Sequence, residues 1–160
     1  MPNPLMLATH ITIALALTII VGVQSAELAR LRTGVAAVSD VRTLRAALWS
    51  IPMLALLTFI TGIALLADRG NGGPWVGAGV LSTLTIALAS GWLRQWLRRR
   101  AAARTGVLAA IQWGVPATTL AAAFLMADRP QNLAVAIAPV VVAMSVAGVA
   151  YRGALRRATT

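Results

Sequence analysis

The stretch RAALWSIPMLALLTFITGIALLADRGNGGPWVGAGVLSTLTIALASGWLR, residues 45–94, decides the fold. It holds two uncharged runs, Ala46 to Ala67 and Gly70 to Leu93, separated only by Asp68 and Arg69. An α-helix rises 1.5 Å per residue, so about 20 apolar residues cross the roughly 30 Å hydrocarbon core of a bilayer. The polar, glycine-rich connection from Ala67 to Pro74 reads as a tight turn outside the lipid. The stretch is therefore expected to form a transmembrane helical hairpin.

Working outward, the rest of the chain supplies similar segments. Apolar runs at about residues 5–24, 46–66, 75–95, 107–126 and 133–151 predict five spans in a single all-α polytopic membrane bundle. The first run has no Lys or Arg before Arg30, so it lacks the positive n-region of a signal peptide and is read as a retained span. Residues 25–32 are expected to carry that helix on into water, with Gly34 ending it and Ser39 or Asp40 capping the next.

Composition supports the membrane reading. Of the 160 residues 59 % are hydrophobic and only 11 % charged, which lipid can solvate and water cannot. The net charge of +10 comes entirely from arginines placed between and after the apolar runs, so it argues for orientation and against nucleic-acid binding. Arg30, Arg32, Arg42, Arg45, Arg94, Arg98, Arg99, Arg100, Arg104, Arg152, Arg156 and Arg157 fall on one side, against Arg69 and Arg129 on the other. The positive-inside rule then predicts an N-out, C-in multi-pass protein of a bacterial inner membrane. Trp49, Trp92, Trp96 and Tyr151 are expected at the inner boundary and Trp75 at the outer one, as an aromatic belt. With no Cys, disulfides and thiolate metal sites are excluded.

The sequence also echoes itself. Leu44 to Pro52 reads LRAALWSIP and Leu108 to Pro116 reads LAAIQWGVP, and each copy runs on to an AlaAspArg turn. Both copies would run in the same direction, which predicts a parallel repeat of two helical hairpins. Convergence of Ala-rich spans is the competing explanation.

His10 is the one ionisable side chain inside these spans, and an intramembrane ionisable residue is a functional candidate. Met6, His10, Ala14, Thr18 and Gly22 recur at spacing four and are expected to form the packing stripe of the first helix; Ala110, Gly114, Thr118 and Ala122 do the same in the fourth. Two roles compete for His10. One is a neutral imidazole hydrogen-bonded to a Thr or a backbone carbonyl. The other is a ligand to haem b or copper. Met6 shares its face and could join it on copper, but could not bind the opposite side of a haem. Met126, at similar depth, could supply that second ligand. Gln112 and the threonines are expected to bond within the bundle, and Pro52, Pro116 and Pro139 to bend their helices. No phosphate loop, carboxylate pair or nucleophile–base set is visible, and no intramembrane carboxylate or Arg suggests an ion-coupled pump.

Several short stretches carry a resemblance: HITIALAL at 10–17, FITGIALL at 59–66, ProTrp at 74–75 and LMADRP at 125–130. Together they resemble small bacterial integral-membrane proteins akin to the copper-resistance D type. That group is itself similar to the bacterial membrane protoporphyrinogen oxidase, which has a His in its first span. The resemblance covers roughly residues 5–130 and implies a functional role for His10. The oxidase pattern also uses a Lys, and this chain has none. The expected role is a non-catalytic accessory, anchor or binding subunit that works in the lipid bilayer against another membrane protein or a second copy. A haem- or copper-handling protein using His10 is the alternative, and a small-solute transporter the third.

Overall fold

The computed structural model describes residues 4–34, 38–69, 72–98 and 105–158. Five helices follow one another: α1 (Pro4–Thr33), α2 (Val38–Arg69), α3 (Pro74–Arg98), α4 (Thr105–Asp128) and α5 (Leu133–Ala158). Each is long and apolar enough to cross a membrane, which makes this an all-helical, multi-pass membrane protein. Gly70 and Asn71 of the expected turn, and Arg99, Arg100 and Arg104, lie outside the described residues.

Local chemistry explains the helix ends. Gly34 takes φ +73°, the left-handed conformation that closes α1. Pro74 opens α3, where its missing N–H costs nothing. Asn132 caps α5, its side-chain oxygen accepting the Ala134 N–H at 2.8 Å. One boundary differs from expectation: α2 begins at Val38, so Ser39 and Asp40 lie inside its first turn rather than before it. Pro52, Pro116 and Pro139 lie inside helices that continue through them.

The contacts define a ring. α1 packs on α2 and α4, and α3 packs on α2 and α4, while the diagonal pairs α1/α3 and α2/α4 make no close backbone approach among the described residues. α5 lies outside the ring, mainly against α4 and also against α3. The hairpins of the sequence echo thus occupy unequal places. Some 56 % of the α4 span is buried, against 11 % of α5. Trp49 and Trp113, equivalent in the echo, nevertheless both face outward.

The α4 ribbon behaves as read. Gly114, Thr118 and Ala122 are buried, and a Cβ at Gly114 would sit 2.8 Å from the Cβ of Ala147. Only glycine lets α4 and α5 approach that closely.

The α1 stripe needs correction. Its buried residues are His10, Leu17, Val21, Gln24, Glu27 and Leu28, whereas Thr18 and Gly22 are exposed. Steps of four turn a helix by about 40° beyond one full circle, so a spacing-four stripe drifts off the contact face. A face facing one neighbourhood over several turns alternates steps of three and four instead. α1 continues past the apolar run to Thr33 as expected, but not as a fully solvated helix, since Leu28 is fully buried and Glu27 is 6 % exposed.

The main core lies toward the end where α1 finishes and α2 starts. Leu28, Leu44, Leu48, Ile51, Leu93 and Leu108 fill it. Arg30, Arg32, Arg42, Arg45, Arg94, Arg98, Arg152, Arg156 and Arg157 belong to helix segments at this end, and Arg69 and Arg129 belong to the other. Arg94 lies over the Trp49 ring at 4.4 Å, and Trp92 stacks on Trp96 with centroids 6.2 Å apart. Trp75, in the first turn of α3 at the other end, is half-buried and packs on Ala78, Leu125 and Ala136.

Candidate functional site

The site is built at the end of the bundle opposite the arginine-rich one. His10 lies six residues into α1, about 9 Å from the start of the helix. Its Nδ1 is 2.7 Å from the Thr61 hydroxyl on α2. That hydroxyl has a single proton, and the carbonyl of Leu57 takes it at 2.8 Å, as threonine hydroxyls in helices commonly bond one turn back. The Thr61 oxygen is then left to accept, which assigns the proton of the neutral imidazole to Nδ1. Nε2 becomes the lone-pair nitrogen. Among the described residues it has no hydrogen-bond partner, and it is not sealed from the surface.

His10 faces a cavity of about 430 Å³, within the roughly 300–1,000 Å³ usual for small-molecule sites. All four ring helices contribute walls: Leu7 and Ala14 from α1, Thr58, Gly62 and Leu66 from α2, Trp75, Gly79 and Thr83 from α3, Leu125 and Met126 from α4. Gly62 stands beside the imidazole, where a Cβ would come within 3.4 Å of His10 Cε1. Thr58 and Thr83 satisfy their own hydroxyls on helix carbonyls, so the wall offers few free polar groups. The cavity is not sealed. Ile11, Leu15 and Ile63 line it and are exposed on the outside of the bundle.

Of the residues singled out in the sequence, His10 and Met126 meet at this cavity. Met6 is half-buried and does not line it. Among the described residues no three His, Cys, Asp or Glu side chains come together as a metal cluster. The hydrogen bond to a threonine, expected of a packed His10, is present, but it occupies one ring nitrogen only.

A second polar layer escaped the sequence reading. Gln24 and Ser90 are fully buried, and the Ser90 hydroxyl donates to Gln24 Oε1 at 3.2 Å across the ring diagonal. Glu27 pairs with Arg30 at 3.3 Å through one oxygen, while Glu27 Oε2 and Gln24 Nε2 are buried with no partner among the described residues. Arg32 donates to Gln112 Oε1 at 2.6 Å, tying α1 to α4 as an internal bond for Gln112. The available signal was Gln24 and Glu27 three apart on the helix, one face. Their proximity to the arginines disguised it as a solvated helix end.

Compared with protein-family models, curated proteins and solved structures, the chain finds no match.

Proposed function

We propose that the protein is a non-catalytic binding subunit of a bacterial inner membrane, holding a haem b in the cavity with His10 Nε2 as its iron ligand. The observation that carries this reading is the unengaged Nε2 of a buried imidazole on the same apolar cavity as the Met126 thioether. Imidazole nitrogen and thioether sulfur are both recognised ligands of haem iron, so His10 and Met126 would be the residues to hold it. Thr61 would fix the ring, as a second partner on the other nitrogen orients a metal-bound histidine. Bound haem would supply one-electron redox chemistry. The chain itself contributes ligation, a dry apolar wall and a fixed imidazole tautomer. Copper fits less well, because Met6 lies off the cavity and its volume far exceeds that of an ion. The resemblance to copper-resistance D and protoporphyrinogen-oxidase proteins points the same way for His10.

The test is titration of haem b into the purified protein in lipid nanodiscs. A saturable Soret shift, lost in H10A and blue-shifted or weakened in M126L, is the expected result. A titration curve that H10A leaves unchanged removes His10 as the ligand. Orientation is tested separately: a periplasm-active reporter should work when inserted at Asn71 and fail when fused after Thr160.

A further inference from the structure

The ligand of this cavity carries an acidic group, and we infer that Arg129 holds it at the cavity mouth. This rests on the cavity being a ligand site, and it concerns the ligand's chemical class. Among the described residues, Arg129 is the one permanently charged residue in the lining. It stands just past the end of α4, while His10 lies deeper along the bundle. An apolar chamber with a cation at its mouth matches an amphipathic acid, its body inside and its carboxylate at the rim.

The backbone there is built to hold this residue in place. Arg129 adopts φ 49°, a left-handed conformation that non-glycine residues seldom take. Its N–H bonds the Leu125 carbonyl at 3.1 Å, closing α4, and Gln131 Nε2 donates to the Arg129 carbonyl at 3.2 Å. Gln131 in turn presses on the α2–α3 connection: a Cβ at Gly73 would lie 2.6 Å from Gln131 Oε1. The two turns therefore abut, with Trp75 and Arg129 both lining the cavity beside them.

The guanidinium is only partly engaged. Its Nε donates to the Met126 carbonyl at 3.4 Å, and no ion pair to Arg129 exists among the described residues, the adjacent exposed Asp128 included. The two terminal nitrogens remain to grip a carboxylate in the two-pronged geometry that arginine favours. Lipid phosphate offers similar chemistry, so the source must be separated by experiment.

The probe is protoporphyrin IX against its dimethyl ester, with palmitic acid against methyl palmitate as a second pair, all in phosphatidylcholine nanodiscs. The wild-type protein should bind each acid about ten- to a hundredfold more tightly than its ester, the scale of a charged hydrogen bond. R129Q should lose that preference while the His10-dependent Soret shift of added haem b remains. If haem b does not bind but palmitic acid shows the Arg129-dependent preference, the haem reading falls and this inference stands. Equal affinity of acid and ester in the wild-type protein overturns it. So does a preference that R129Q retains, or one that disappears when phosphatidylglycerol is added as a competing anionic headgroup.

Discussion

The two ends of the bundle use the same four helices differently. At the arginine-bearing end, Leu28, Leu44, Leu48, Leu93 and Leu108 close the ring completely. At the other, Ala14, Gly62 and Gly79 occupy wall positions, and the ring encloses space. Helix spacing is set by whichever side chains interlock, so leucines at one end hold the helices at a distance that alanine and glycine at the other cannot fill.

The comparison can be broken first at the closed end. Leu48→Ala should destabilise the protein by about 2–5 kcal/mol in SDS-induced unfolding, since the site is sealed and cannot relax easily. Haem affinity should change little, and a large loss of affinity with unchanged stability would mean the two ends do not act separately. Next comes the open end. Gly62→Leu should fill space beside His10 and weaken haem binding by about tenfold or more, read by Soret titration, with stability kept. A destabilisation as large as that of Leu48→Ala would show that no usable space exists there.

Two smaller effects sharpen the polar layer between the ends. Gln24→Leu removes a buried amide nitrogen that has no partner among the described residues, but also the acceptor of the buried Ser90 hydroxyl, so the two effects should offset to within about 1 kcal/mol. The double variant Gln24→Leu/Ser90→Ala should be more stable than Gln24→Leu alone, and a double variant no more stable than the single would show that the Ser90 hydroxyl finds another acceptor. Arg94→Gln should cost only about 0.5–1 kcal/mol, the scale of an exposed cation–π contact, as measured in the same unfolding assay.

How much of this was legible beforehand follows from which interactions are local. Span length and charge are local, so five helices and the arginine segregation could be read directly. The α4 ribbon was legible because glycine and alanine at fixed spacing announce a close helix contact. The α1 face was misread because a run of small residues looks like a contact stripe whether or not it keeps phase with its neighbours. Glu27 was missed for a related reason: adjacent Arg30 and Arg32 suggested water, while burial by α2 and α4 is a property of the assembled ring. The cavity itself could not be seen. Ala14, Gly62 and Gly79 are far apart in sequence and are ordinary residues singly. His10 stood out on chemistry alone, but which of its nitrogens is free depends on Thr61, 51 residues away.

That nitrogen can be measured directly. The chain has a single histidine, so uniform ¹⁵N-histidine labelling reports on His10 and nothing else. Solid-state NMR in lipid bilayers at neutral pH should show a protonated Nδ1 and an unprotonated Nε2, and added haem should perturb or broaden chiefly the Nε2 signal. A protonated Nε2 with a bare Nδ1, or two signals indifferent to haem, would contradict the account.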